Sequence, residues 1–216
     1  MELNLKPQLD ETKQLFMIRQ PEEVQSALFR LIREQQQSGE VYGLQEGQQA
    51  PDFTLTSATG AEVRLFDQLS SGPVVLVFYR GAWCPYCNIQ LRAYERILPE
   101  IQALGGQLIA LCPQKPDHTL TQQEKEQLTF HVLSDTDGTA ASSFEVLFEV
   151  PPYVQDIMLN KFKIDLTDYN ATDRWILPIP STFIIDQSGV TRSAYVNPDF
   201  MQRQEPQDIL ERLKNL

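Results

Sequence analysis

The hydrophobic positions of this chain switch between two spacings, and the switch is sharpest between Pro73 and Ile101. Val74 to Tyr79 is an unbroken apolar, β-branched and aromatic run, the pattern of a strand buried on both faces. Arg80, Gly81 and Ala82 interrupt it. Beyond Trp83-Cys84-Pro85-Tyr86-Cys87, the residues Ile89, Leu91, Tyr94, Ile97, Leu98 and Ile101 recur at helical spacing. A buried strand therefore hands over to a helix at two cysteines. Pro99 lies inside that helix and predicts a kink, since it removes one backbone hydrogen bond, and Gly105-Gly106 ends it.

On either side the pattern continues in both spacings. Residues 1–40 predict two helices, a weak one carrying Leu9, Phe16 and Ile18 up to Gln20-Pro21, then an amphipathic one from Glu22 to Gly39. Val24, Ala27, Leu28, Leu31 and Ile32 share one face of the second, so the pair must cover its own domain or a partner subunit. Gly47 to Leu55 is an extended entry, and Val63 and Leu65 suggest a hairpin return. Gln107 to Leu111 predicts a second buried strand, and Thr121 to Glu124 a capping box opening a short helix to Leu128. His131 to Leu133 is a short strand and Gly138 to Leu147 a further short helix. Residues 148–177 form an irregular, partly helical insertion: a helix from Pro151-Pro152 bearing Val154, Ile157, Met158 and Phe162, then a polar loop from Asp165 to Trp175. Two strands around Gln187-Ser188-Gly189 make a hairpin, and a helix from Pro206 closes the chain. Strands alternating with helices, then a hairpin and a helix, describe an α/β sandwich with a mixed sheet.

Composition narrows the function classes. The 216 residues are 42% hydrophobic and 22% charged, ordinary for a globular protein, with a net charge of −11 that argues against nucleic acid or anionic membrane as partners. No stretch approaches the roughly 18 apolar residues of a membrane span. Residues 1–14 have neither a basic start nor an apolar core, so no signal peptide is expected and a cytoplasmic location is the default. The sequon Asn170-Ala171-Thr172 is then a chance match. Three cysteines, in a reducing compartment, suggest a catalytic or metal-binding pair rather than a disulfide framework.

Cys84 should precede or cap the helix and Cys87 lie in its first turn. Unpaired backbone N–H groups and the positive helix end favour a thiolate there. A thiol of pKa about 8.5 is only about 3% ionised at pH 7, and a drop of about two units, roughly 2.7 kcal/mol, makes it mostly thiolate. The stretch is a redox-active dithiol. Its alternatives are two inert buried thiols, or a zinc site recruiting Cys112 and His118, which lacks a second close-spaced pair. Cys112 suits a small core residue better than a third redox centre, and His118 and His131 suit structural or surface roles.

Several segments together resemble the peroxiredoxins: Ala50-Pro-Asp-Phe-Thr-Leu55, the strand into the cysteine loop, Cys112-Pro-Gln-x-Pro116, Val132-Leu-Ser-Asp135 and Ser181-Thr-Phe-Ile-Ile-Asp186. The likeness, to the peroxiredoxin-like group of the alkyl hydroperoxide reductase/thiol-specific antioxidant superfamily, spans roughly residues 45–200. It implies a thioredoxin-like three-layer sandwich with a mixed central sheet over residues 45–216, preceded by a helical extension over residues 1–44. The cysteine loop departs from that family. Arg80 stands where the family has Pro, Cys84 where it has Thr, and Cys87 where it has the peroxide-attacking Cys. Pro180 stands where the family has an Arg that activates peroxide, and Ile179-Pro180-Ser181 instead resembles the thioredoxins, in which a cis-proline faces the dithiol. Trp83-Cys84-Pro85-x-Cys87 is thioredoxin-like too, and Cys-Pro-Tyr-Cys with Tyr86 is the glutaredoxin version.

By resemblance, the expected function is a thiol-dependent peroxidase acting on hydrogen peroxide or organic hydroperoxides, without cofactor or metal. Cys87 attacks, Cys84 resolves, and a thioredoxin- or glutathione-type reductant recharges the pair. The alternatives are a disulfide oxidoreductase in which Cys84 attacks, and a redox-sensing interaction module. Arg80 either lowers a thiol pKa and holds a peroxide oxygen, or is a solvated arginine at a strand end. Trp83 is a docking surface for a partner protein or packs against the loop. Tyr153, Met158, Phe162 and Trp175 line a pocket or, for the first three, pack in the core. The amphipathic helices also admit a homodimer.

Overall fold

Five consecutive buried residues put β3 (Val74–Phe78) in the interior of a seven-stranded sheet. The computed structural model describes residues 4–57, 59–170 and 172–216. β3 pairs in parallel with β4 (Gln107–Cys112), Val74 opposite Gln107, and antiparallel with β8 (Ser181–Ile185), Phe78 opposite Ser181. Beyond β4 come β5 (His131–Ser134), β1 (Thr54–Ser57) and β2 (Glu62–Arg64); beyond β8 lies β9 (Thr191–Val196). The order β2-β1-β5-β4-β3-β8-β9 mixes parallel and antiparallel neighbours.

Successive strand residues face opposite sides, which divides the interior into two cores. Val75, Val77 and the following Tyr79 join Leu108, Ala110 and Val132 under α4 (Pro85–Ala103) and α9 (Pro206–Lys214). Val74, Leu76 and Phe78 join Ile109, Leu111, Leu133 and Phe183 against α3 (Leu65–Leu69) and α6 (Thr139–Ser143). The result is a three-layer α/β sandwich, and α4 runs on through Pro99.

The two N-terminal helices, α1 (Lys6–Arg19) and α2 (Glu22–Gln37), lie where the sequence places them and cover their own chain. α2 buries Val24, Leu28, Leu31 and Ile32 in the core shared with α4 and with α7 (Pro152–Ile157). α1 buries only Leu9 along its length, so its position depends on its start. There the Leu5 and Lys6 N–H groups donate to the Glu205 carboxylate at 2.8 and 2.7 Å, a cap supplied from the far end of the sequence.

The local readings fail in three places. The helix assigned to the Thr121 capping box is α5 (Pro116–Glu126), which starts five residues earlier with Pro116 in its first turn. Thr121 is inside it, and its hydroxyl donates to the Asp117 carbonyl at 3.0 Å. The helix expected up to Leu147 ends at Ser143, because β6 (Leu147–Glu149) pairs antiparallel with β7 (Ile176–Pro178). That ribbon, a long-range pairing, closes the base of the 148–177 insertion. Within it α7 passes into a π-helical turn, Met158–Phe162, and the polar loop contains α8 (Leu166–Tyr169), capped by Asp165 and anchored by the buried Leu166. Asn170 of the sequon is buried, and Ala171 lies outside the described residues. No helix of the described residues is long and apolar enough to cross a membrane.

Removing the remote cap should loosen α1 selectively. Glu205→Ala is expected to cost about 1 kcal/mol, the usual worth of a helix N-terminal cap. Amide exchange should accelerate in α1 and not in β3 or α4; equal protection of α1 in variant and parent would show the carboxylate to be dispensable.

Candidate active site

The loop between β3 and α4 is shaped by amides that the sequence reading did not single out. Tyr79, fully buried, donates its hydroxyl proton to Gln122 Oε1 at 2.9 Å. Gln122 Nε2 donates to Asn88 Oδ1 at 2.7 Å, and Asn88 Nδ2 to the Ala82 carbonyl at 2.8 Å. The Ala82 N–H donates to Gln114 Oε1 at 2.6 Å. Gly81 has φ +151°, and a Cβ there would lie 2.5 Å from Trp83 Nε1 and 3.0 Å from Gln114 Oε1. The amides and the glycine hold a tight turn that presents Cys84 as the N-cap of α4, with Pro85 next. The Cys84 carbonyl accepts from the Cys87 and Asn88 N–H groups at 3.1 and 3.2 Å. Cys84 and Cys87 therefore stand one helical turn apart at the positive end of a long helix, as free thiols.

Both thiols are buried, and their surroundings push them in opposite directions. Burial, the largest influence on each, opposes ionisation. For Cys84 it prevails, reinforced by the neighbouring Cys87, and the thiol is pushed well up. For Cys87 it is overcome by hydrogen bonding with Cys84 and by the guanidinium groups of Arg203 and Arg80, which bring it down to about 5. Arg203 Nη2 donates to Cys87 Sγ at 3.2 Å. Its Nε donates to Gln90 Oε1 at 2.7 Å and its Nη1 to the carbonyls of Phe200 and Gln202 at 2.5 and 2.6 Å. Arg203 was not singled out from the sequence. It lies in an irregular segment between β9 and α9, and its one local signal was a charged residue just before a Pro-initiated helix.

The residues expected around the dithiol separate into two groups. Arg80 is 6% exposed and lies between the rings of Trp83 and Phe200, 4.9 and 4.2 Å from their centroids, so it is not a solvated strand-end arginine. Trp83 is half-buried against this loop, Pro85 is exposed, and Tyr86 is buried edge-on to Phe200 at 6.0 Å. Pro180 differs from expectation. Its peptide is trans, and it is not among the residues lining the cleft over Cys84. The chain runs extended from β7 through Pro180 into β8, so the fixed φ of proline fits there without a turn. Cys112 sits beneath the loop beside Gln114 Nε2 (3.6 Å) and Thr119 Oγ1 (3.8 Å), with burial raising its pKa. His118 stacks on Tyr169 and His131 is exposed. Among the described residues no three His, Cys, Asp or Glu side chains gather as a metal site would require.

A cleft of about 410 Å³ opens over Cys84. Arg80, Trp83, Pro85, Tyr86 and Phe200 line its thiol end; Phe16, Gln20, Leu28, Met158, Lys161, Phe162 and Ile164 form the rest. Met158 and Phe162 thus serve both core and pocket. Tyr153 instead ties α7 to α2 through Glu34, 2.5 Å from its hydroxyl, and Trp175 packs against the core.

This arrangement, a thioredoxin-fold sandwich with a helix-capping dithiol and a guanidinium on the second sulfur, defines a thiol-redox protein. The sequence profile of the AhpC/TSA family matches residues 46–194, and the chain belongs to that family as a peroxiredoxin-like protein. It is similar to peroxiredoxin Bcp of Escherichia coli, 31% identical over 103 residues, 48% of this chain and 65% of the relative. It is 28% identical to the thioredoxin-like protein YneN of Bacillus subtilis over 154 residues, 71% of this chain and 73% of the other. The crystal structure of peroxidoxin BcpB from Mycobacterium tuberculosis superposes with a TM-score of 0.65 at 22% identity, covering 80% of this chain and 98% of that one.

The opposed thiol environments predict a distinctive titration. Thiolate absorbance at 240 nm should rise with a midpoint near pH 5, vanish in that range in Cys87→Ser, and move to higher pH in Arg203→Gln. Because the folded-state value lies below the unfolded one of about 8.5, the thiolate stabilises the fold fully above that pH. This contribution is lost as the pH falls toward 5. A midpoint unaffected by Arg203→Gln would remove the guanidinium from the explanation.

Proposed function

We propose that this protein is a thiol peroxidase that reduces hydrogen peroxide and organic hydroperoxides, with Cys87 as the attacking sulfur and Cys84 as the resolving one. The observation that carries the reading is the Arg203 guanidinium on Cys87 Sγ, at 3.2 Å, with Arg80 nearby. It selects as the thiolate the cysteine that holds the family's peroxidatic position, and it supplies the arginine that Pro180 leaves missing. The peroxide enters past Cys84 and Arg80. The Cys87 thiolate attacks the terminal oxygen of ROOH, the S–O bond forms as the O–O bond breaks, and RO⁻ leaves, taking a proton from solvent to become ROH while Cys87 becomes a sulfenic acid. The positive charges of Arg203 and Arg80 face the charge that moves onto the leaving oxygen. Cys84 then attacks the Cys87 sulfenic acid, water leaves, and the pair becomes a disulfide. A thioredoxin-type dithiol, in a reducing, cytoplasm-like compartment, returns the two electrons.

One observation favours a disulfide oxidoreductase instead: Cys84, and not Cys87, lines the cleft. The same burial that raises the Cys84 pKa weighs against it, because that reaction needs Cys84 as the thiolate.

Stopped-flow reduction of peroxide by the single variants separates the two readings. Cys87→Ser should lose at least about 1,000-fold in peroxide reactivity, and Arg203→Gln about 100-fold, the usual loss for one such donor. Cys84→Ser should complete one turnover and accumulate a Cys87 sulfenic acid that dimedone traps; Cys112→Ser should behave as the parent. Dimedone on Cys84 in Cys87→Ser, with fast insulin reduction by the parent and slow peroxide reduction, would instead establish the oxidoreductase.

A further inference from the structure

The cleft is much larger than hydrogen peroxide requires. Its 410 Å³ lies within the range of small-molecule ligand sites and is more than ten times the share of about 30 Å³ that one water occupies in the liquid. It is also divided by chemistry. At the thiol end, Arg80 Nε and Tyr86 Oη are buried donors without a hydrogen-bond partner among the described residues, in residues that flank Cys84 in the wall. Buried donors left unpaired are costly, and acceptor oxygens of a ligand would satisfy both. Away from the thiol the walls are mainly apolar, with Phe16 from α1, Leu28 from α2, and Met158, Phe162 and Ile164 from the π-helical turn and its exit; Gln20 is a polar exception. Lys161 at the rim is already paired with Glu23 at 2.6 Å.

Phe16 and Leu28 lie before residue 46, where the family match begins. The shared frame therefore supplies the sulfurs, and the helical extension supplies much of the opposing wall. We propose that α1, α2 and the π-helical turn are the specificity-determining part of the site, making it select hydroperoxides with a bulky apolar body over hydrogen peroxide. The O–O group meets Arg80 and Tyr86 at the thiol end, and the apolar body fills the space between Phe16, Leu28, Met158 and Phe162. The oxygen chemistry is that of the peroxidase reading above, on which this inference rests: ROOH and two thiols give ROH, water and a disulfide.

The test compares kcat/KM for hydrogen peroxide, tert-butyl hydroperoxide and cumene hydroperoxide, with the same reductant throughout. In the parent, cumene hydroperoxide should exceed tert-butyl hydroperoxide, which has the smaller apolar body, by about tenfold, in line with the transfer free energy of the added apolar surface. Phe16→Ala and Phe162→Ala, both at half-buried positions, should lower the cumene-to-hydrogen-peroxide ratio by about tenfold, chiefly through KM. Cumyl alcohol, the product, should inhibit the parent competitively, a readout that needs no variant. Hydrogen peroxide reduced as well as cumene hydroperoxide, with the ratio unmoved in the variants and no inhibition by cumyl alcohol, would overturn the selectivity and leave the peroxidase reading intact. Failure to reduce any of the three peroxides faster than free cysteine would overturn both.

Discussion

A thiolate closed off from water is unfavourable unless positive charge and hydrogen-bond donors replace its hydration. Here the replacement is Arg203, whose guanidinium touches Cys87 Sγ while Gln90 and two backbone carbonyls hold its Nε and Nη1 donors. The anchoring matters as much as the charge. A guanidinium held by four hydrogen bonds keeps its charge directed at the Cys87 sulfur. Cys84 has no comparable partner, and burial keeps it protonated. The asymmetry between two cysteines only three residues apart comes from the hydrogen bond between them together with the guanidinium groups of Arg203 and Arg80, of which Arg203 is donated by a remote loop.

That same loop also positions the helical extension. Two residues after Arg203, Glu205 accepts the first N–H groups of α1. One short segment thus stabilises the Cys87 sulfur and anchors the helix whose Phe16 forms a wall of the cleft. Phe200, from the start of the segment, covers Arg80 and packs edge-on to Tyr86. The dithiol environment and the outer wall are therefore parts of one packed unit, and a shift in the 200–205 segment would be felt at both.

Beneath the dithiol, Tyr79, Gln122, Asn88 and Gln114 act as a rigid floor. In a low-dielectric interior a fully connected set of amides and hydroxyls specifies one geometry, since any slip leaves a buried polar group unpaired. This explains why a loop with a φ of +151° at Gly81 can present Cys84 reproducibly. It also accounts for Cys112, which occupies a small buried place beside that floor and stays away from the redox pair.

By itself, the sequence determined most of what has a local cause, the Pro116 start of α5 and the Asp165-capped α8 being the local features it missed. The all-buried β3, the helix start at Cys84 and Pro85, the amphipathic α2 and the β8–β9 hairpin follow from side-chain period, turn residues and capping preferences, which act over a few residues. The dithiol at a helix N-terminus was equally legible. Pairings between distant segments were not: the β6–β7 ribbon that ended a predicted helix, and Glu205 on α1. The trans Pro180 likewise follows from strands that continue on both sides of it. Arg203 is the clearest case. Nothing in its immediate neighbours marks it, because its role comes from lying across 116 residues of chain from Cys87 at 3.2 Å. The sequence placed two sulfurs where a thiolate is favoured; only tertiary packing, which hydrogen-bonds Arg203 to Cys87, buries Arg80 nearby and sets a cleft over Cys84, separates their pKa directions.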